Sequence, residues 1–232
     1  MFFSKKKLSS TDVFNGLADC HSHLLPGVDD GVKSIEDTLS ILEILEQQGV
    51  VRLWLTPHVM EDIPNKTAAL KEKFRKVCLA YKGNIKLNLA AEYMLDNLFL
   101  QRLDKDDLLP LEEGKRFLLV ETSYFSGPMN LLSMLESVKR KGYFPLLAHP
   151  ERYEYMAMDD YKRLKEAGIH FQLNLPALVG GYGRHVQEKA EKLLKKGYYD
   201  LCGNDIHSLP SIKRTLNSEI SRSVAKRCLA LH

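Results

Sequence analysis

Short apolar runs alternate with longer segments of helical spacing along most of the chain. Leu17–Cys20 opens the series as a strand. Apolar residues at Ile35, Leu39, Leu42 and Ile44 or Leu45 then predict a helix over Ser34–Gln48. Ser34 with Asp37 has the form of a capping box, and Gly49 supplies a stop. Further strands are predicted at Val51–Thr56, Ile85–Ala91, Arg116–Glu121, Phe144–Ala148, Ile169–Asn174 and Tyr199–Cys202. Helices are predicted at Asn65–Tyr81, Pro128–Lys141, Asp159–Ala167 and Arg184–Lys196, and from Leu209 onward. Gly83, Gly142, Gly168 and Gly197 close the four bounded ones. Tyr93–Gly114, charged and dotted with leucines, predicts short helices and loops.

Strands separated by helices argue for an α/β protein whose parallel sheet has right-handed crossovers. The strands are near-continuous apolar runs, as expected when both sheet faces are covered. An α/β barrel, with its active groups at the C-terminal strand ends, and an open doubly wound sheet both fit this rhythm. No Pro/Gly/Ser-rich linker splits the chain. One domain over residues 17–232 is therefore expected, preceded by an N-terminal tail over 1–16, of which Met1–Ser10 reads as mobile.

Composition narrows the class without changing it. The 232 residues are 44% apolar and 27% charged, which excludes disordered, collagen-like and bare coiled-coil chains. Lys plus Arg is 33 against 30 Asp plus Glu, a net +3 too balanced to argue for nucleic acid or anionic lipid as the main partner. The basic start MFFSKKKLSS lacks a following apolar stretch, so no signal peptide is expected, and no run long enough to span a membrane exists. Cys20, Cys78, Cys202 and Cys228 are scattered, pointing to a reducing, cytoplasmic setting.

Chemistry gathers behind the strands. His21 and His23, then Asp29 and Asp30, follow the first strand, His58 the second and Glu92 the third. Glu121 ends the fourth, His149 follows the fifth, and Asp205 and His207 follow the seventh. The sixth ends in Asn174, a weaker polar candidate. Any one of these alone reads as an ordinary loop or core residue. Together on one rim they would carry buried charge that needs compensation, and cations supply it. In a strand end, residues i and i+2 face one side, so His21 and His23 can reach one ion. Imidazole plus carboxylate suits zinc, manganese or iron, and the ligand count implies two or three ions. Such clusters serve phosphate-ester hydrolysis, lowering the pKa of bound water toward ~7. His170, His185 and His232 read as structural.

The segment Asp19–Gly31, DCHSHLLPGVDDG, resembles the opening motif of the polymerase and histidinol phosphatase (PHP) superfamily. More narrowly, it is similar to the bacterial PHP-type protein tyrosine phosphatases of capsule and exopolysaccharide clusters. The resemblance continues through Leu55–His58, Ala91–Tyr93, Val120–Ser123, Ala148–Tyr153 and Asn204–His207, covering nearly all the chain from about Leu17. Ser208–Thr215 departs from it. It implies a distorted (β/α)7 barrel of the PHP type and a trinuclear site, often holding manganese, with iron, magnesium or zinc as other occupants. His21, His23, Glu121 and Asp205 would hold the first ion. Glu92, Glu121 and His149 would hold the second, with Glu121 bridging, and Asp30, His58 and His207 the third. Asp29 would support the site without ligating.

The resemblance makes Arg152 the substrate-binding arginine, a guanidinium able to grip two phosphate oxygens. An ion pair with Glu151 or Glu154 is its bland alternative. Arg184, after a glycine loop, is a second phosphate-binding candidate or a solvated helix start. Tyr124 and Phe125 are candidates to stack on a phosphotyrosine ring, or plain packing. The implied reaction is direct hydrolysis of phosphotyrosine, without a phosphoenzyme. The implied substrate is the tyrosine-rich tail of a bacterial tyrosine autokinase, so that the enzyme regulates polysaccharide assembly and export. A small phosphomonoester such as histidinol phosphate would use nearly the same ligands. A cysteine nucleophile is excluded, because the arginine position of Cys-x5-Arg holds Pro26, Asn84 and Ser208. A non-catalytic metal-binding scaffold would not need the complete ligand set, and an exonuclease would need a basic stripe.

Overall fold

The computed structural model describes residues 5–112 and 116–231. Met1–Ser4 and His232, for which a mobile tail and a structural histidine are expected, lie outside them. Strands among the described residues are β1 (Lys5–Lys7), β2 (Ala18–Asp19), β3 (Arg52–Leu55), β4 (His58–Val59), β5 (Lys86–Leu89), β6 (Glu92–Met94), β7 (Leu111–Glu112), β8 (Arg116–Glu121), β9 (Phe144–Leu147), β10 (His170–Asn174), β11 (Leu201–Gly203) and β12 (Glu219–Ser221). Helices are α1 (Ile35–Gln47), α2 (Thr67–Ala80), α3 (Asn97–Lys105), α4 (Leu131–Arg140), α5 (Met158–Glu166), α6 (Leu175–Leu178), α7 (Arg184–Lys195), α8 (Leu209–Asn217) and α9 (Arg222–Cys228).

The fold is a mixed α/β one with a curled parallel sheet. Parallel pairing runs β11–β10–β9–β8–β6–β4, and a second parallel set runs β2–β3–β5. Pro57 separates β3 from β4, since proline cannot donate to the ladder. Pairing resumes beyond it, where Glu92 N donates to Pro57 O at 3.1 Å. The end of β2 also meets that of β11: Cys20 N donates to Cys202 O at 3.1 Å, Asp205 N to His21 O at 2.8 Å and His23 N to Ile206 O at 2.9 Å.

Both faces of the sheet are covered, which is why its strands read as unbroken apolar runs. On β8, Leu118 and Val120 join the large core beneath the helices, while Phe117 and Leu119 face a smaller cluster with Cys20, Trp54, Ala90, Leu111, Leu146 and Ala148. Glu121 continues the Phe117–Leu119 face and Glu92 continues that of Ala90, by the two-residue period of a strand. The inner cluster therefore floors the carboxylates. Outside, α1 buries Thr38, Ile41, Leu42 and Leu45 at helical spacing. Ser34 Oγ caps it by accepting from Asp37 N at 3.1 Å, as its sequence predicts.

Three expectations change. The described residues of Tyr93–Gly114 form one helix, α3, capped by Asp96 accepting from Phe99 N at 2.8 Å, and then β7, antiparallel to β8. The C-terminal stretch is not one helix from Leu209 but α8, β12 and α9, and this break involves the N-terminus. β1 pairs antiparallel with β12, Leu8 N donates to Ser218 O at 2.9 Å, and Leu8, Val13 and Phe14 are buried. Residues 5–14 are thus part of the packed body, not a mobile tail. Lys5–Lys7 concealed this, because an edge strand can carry three exposed lysines while only the residues after it reach the core. Leu8→Ala should lower stability by about 2–4 kcal/mol in urea unfolding. A change near zero would mean that the segment is held only loosely.

Candidate metal centre

The strand ends deliver the chemistry to one rim. His21 and His23 follow β2, with their Nε2 atoms 3.1 Å apart. His58 opens β4, Glu92 opens β6 and Glu121 closes β8. His149 follows β9, and Asp205 and His207 follow β11. Asp30 arrives from the loop before α1. All nine side chains fall in four overlapping groups whose potential ligand atoms lie within 4.8 Å of one another: His23/Asp30/His58/His207, His21/His23/Glu92, His21/His149/Asp205 and His58/Glu92/Glu121.

Glu92 is the meeting point. Its Oε2 lies 3.2 Å from His21 Nε2, 3.3 Å from His23 Nε2 and 3.1 Å from His58 Nδ1, and its Oε1 2.9 Å from His149 Nε2. Glu121 is placed to one side, 3.1 Å from His58 Nδ1 and 3.8 Å from His149 Nε2. Glu92 thus lies against His21 and His23, while Glu121 groups with His58 and Glu92. Asp205 Oδ1 faces His21 (3.5 Å), His23 (3.2 Å) and His207 (3.4 Å), and Asp30 Oδ1 reaches His58 (3.5 Å) and His207 (3.4 Å).

Most of these groups are buried, and several point inward without a hydrogen bond: Glu92 Oε2, Glu121 Oε1 and His58 Nδ1. Orphaned buried carboxylate and imidazole atoms facing one another are costly in an uncharged interior. Divalent cations fit this donor set, oxygens and imidazole nitrogens together. Without cations the residues neutralise each other. Burial disfavours protonation of His58, but the Glu92 charge and the close contacts with Glu121 and Glu92 together outweigh it and lift His58 to about 10. Burial likewise raises Glu92 and Asp205, yet facing histidines, His21 foremost, pull both well below the carboxylate range.

Residues behind the ligands fix them. Asp29 Oδ2 sits 2.9 Å from His23 Nδ1 and accepts from His58 N at 3.1 Å, orienting two candidate ligands at once, so its expected supporting role fits. Gln172 was not anticipated. Its Oε1 lies 3.0 Å from His21 Nδ1 and accepts from His149 N at 3.0 Å. The available signal was a buried polar residue amid the apolar β10 run. Glycines give the histidines room. A Cβ on Gly31 would meet His23 O at 2.2 Å, and one on Gly203 would meet His21 Cβ at 2.6 Å. His149 (φ 31°) and Asp205 (φ 50°) adopt the left-handed region, so the chain turns sharply where each side chain must enter the site.

Arg152 stands at the edge of this cluster. It pairs with neither Glu151 nor Glu154; its Nη1 donates to Asp205 Oδ2 at 3.0 Å. Glu151 is buried elsewhere, accepting from Asn174 N and the Tyr199 hydroxyl, both at 2.9 Å. Tyr124 lies 4.1 Å beneath the Arg152 guanidinium, whereas Phe125 is 74% exposed. Arg184 is not brought to the site. It opens α7 with its side chain 89% exposed, paired with Glu188 at 2.8 Å, because an i,i+4 partner holds it along the solvent face. His170 pairs with Asp200 at 3.1 Å, His185 is exposed, and the four cysteines are free thiols.

A parallel α/β sheet with a rim of clustered His and carboxylate side chains is the type of centre that metal-dependent hydrolases use. The chain belongs to the CpsB/CapC family of capsular polysaccharide synthesis, whose model matches residues 17–228. It is 27% identical to the tyrosine-protein phosphatase CpsB of Streptococcus pneumoniae over 209 residues, 84% of either chain. It is 26% identical to the tyrosine-protein phosphatase YwqE of Bacillus subtilis, over 83% of this chain and 78% of that one. Among solved structures it superposes with a TM-score of 0.78, at 23% identity, on one described under YwqE and CpsB as "unique metal-dependent tyrosine phosphatases", covering 93% of this chain and 85% of that one. A histidinol phosphate phosphatase from Lactococcus lactis, complexed with zinc, L-histidinol and phosphate, shares the fold at a TM-score of 0.56 and 14% identity, covering 92% and 94%.

The raised His58 basicity carries a pH signature in metal-stripped protein. Protonated His58 contributes stability fully below its ordinary value near 6.5, and that contribution is lost as pH rises toward about 10. The urea midpoint of chelator-treated protein should fall across this window, and less steeply in Glu92→Gln. Parallel profiles in the two proteins would remove Glu92 as the cause.

Proposed function

We propose that this chain is a metal-dependent protein tyrosine phosphatase acting on the phosphorylated tyrosine-rich tail of a bacterial tyrosine kinase, and so regulating polysaccharide synthesis and export. The observation that carries the reading is the convergence of nine His, Asp and Glu side chains on one rim, in a chain whose curated relatives are tyrosine-protein phosphatases. The reading places the enzyme in the cytoplasm. No helix among the described residues is long and apolar enough to cross a membrane. We also read the sheet as a distorted (β/α)7 barrel, supported by the contacts between the ends of β2 and β11.

The candidate ligands are His21, His23, Asp30, His58, Glu92, Glu121, His149, Asp205 and His207. Two or three ions would be held, with manganese as the first candidate and iron, magnesium or zinc as others. When bound, they would supply Lewis acidity toward the phosphoryl oxygens and an activated water. The chain's own residues do the rest. Glu92 presents oxygens to four histidines and sets their spacing. Asp29 and Gln172 hold His23 and His21 by their Nδ1 atoms, leaving the Nε2 atoms inward. Arg152 offers a planar fork to phosphoryl oxygens where negative charge develops. The inner apolar floor excludes water from below, which strengthens these electrostatic contacts.

Manganese-reconstituted protein should hydrolyse a phosphotyrosine peptide in preference to histidinol phosphate, and excess chelator should abolish turnover. Preference for histidinol phosphate would keep the centre and move the substrate to small phosphomonoesters. No turnover on either, despite bound metal, would leave a scaffold. His21→Ala should lose metal by elemental analysis and turnover by at least ~100-fold, with the far-ultraviolet circular dichroism retained. Retained turnover would overturn the metal-dependent mechanism.

A further inference from the structure

We propose that Tyr182 is a positioning residue for the phosphoryl group: with Tyr124 it clamps the Arg152 guanidinium by its ring and ties that clamp to Asp205. The role of Arg152 toward phosphate rests on the phosphatase reading above. The Arg152 Cζ lies 4.1 Å from the Tyr124 ring centre and 4.3 Å from that of Tyr182. Two π-systems thus lie within cation–π reach of the guanidinium, an arrangement favourable to a cation. One edge is also used, because Nη1 donates to Asp205 Oδ2 at 3.0 Å. Arg152 makes no other side-chain hydrogen bond among the described residues, so the remainder of its N–H fork is available to an anion.

The clamp and the metal rim share one carboxylate. Asp205 Oδ2 accepts from Arg152, from Asn174 Nδ2 at 3.0 Å and from the Tyr182 hydroxyl at 3.4 Å. Asp205 Oδ1 faces His21, His23 and His207 instead. The carboxylate therefore fixes the arginine relative to the cluster, and Tyr182 touches both. A free arginine would lose much rotamer freedom on gripping an anion. One already held by two rings and at an edge has lost it beforehand, so binding is stronger.

The chain is built to bring Tyr182 inward. It lies in the loop after α6, between Gly180 (φ 79°) and Gly183 (φ 89°), backbone shapes that favour glycine. A Cβ on Gly181 would come within 2.9 Å of Pro176 O. The tight loop turns the tyrosine to the site and leaves Arg184, two residues on, in solvent. The loop's contribution to the anion site is thus an aromatic ring acting through Arg152.

A double-mutant cycle tests this on manganese-loaded protein, read by titration calorimetry with inorganic phosphate and by kcat and KM for p-nitrophenyl phosphate. Tyr182→Ala should weaken phosphate binding and lower kcat/KM about five- to tenfold. Tyr182→Phe, which keeps the ring, should restore most of that loss. In the Arg152→Ala background, Tyr182→Ala should cost almost nothing further. Metal content and the urea midpoint should stay at parental values throughout. An equal loss in both backgrounds, or a loss that follows metal content, would overturn the clamp and leave Tyr182 as packing. Phosphate binding without turnover in the parent would defeat the phosphatase reading, while the clamp is still judged on phosphate affinity. Absence of phosphate binding in the parent would overturn the clamp.

Discussion

The rest of the molecule is arranged around a concentration of buried charge. Three carboxylates and three histidines sit almost wholly out of water, and one carboxylate, Glu92, has four imidazoles within 3.3 Å. Carboxylates buried in a low-dielectric interior cannot be left uncompensated. Either the histidines take up protons, as the raised His21, His23 and His58 show, or cations replace those protons. Proton and metal therefore compete for the same atoms, which makes the centre responsive to both.

Such a cluster survives only on a rigid support. The ligands stand at strand ends or in short turns directly after them, held by ladder hydrogen bonds. Below them, the Trp54–Phe117–Leu119 cluster fills the sheet interior and denies the carboxylates an aqueous escape. The positive-φ turns at His149 and Asp205 are the cost of aiming short side chains from a strand back over its own end. Gly31 and Gly203 accept close backbone approach so that His23 and His21 need not move aside. Asp205 then divides its two oxygens between the histidines and Arg152. That division joins the His/carboxylate rim to Arg152.

Much of this was legible in the residues. The apolar runs located the strands to within about two residues, as with Arg116–Glu121 and Phe144–Ala148, because strands buried on both faces are predominantly apolar. Helix limits were marked by Ser34 and by terminal glycines, which act through local backbone chemistry. Short paired segments were not legible. β1, β7 and β12 have no apolar pattern of their own and exist because a partner strand accepts them. The same holds for residues 5–14, whose lysines suggested a solvated tail.

The sequence by itself determined the chemical inventory: which imidazoles and carboxylates follow which strand, and hence that the rim has a donor set suited to metal ions. Strand order and the two-residue period suffice for that, being local properties. Only the tertiary structure decided how the inventory is wired. Glu92 meets four histidines, Gln172 contacts two, and Arg152 lies against Tyr124 and Tyr182 while Arg184 faces solvent. These are distances between residues far apart in the chain. They depend on how the sheet curls and how far each strand reaches, and residue spacing within a strand carries no record of that.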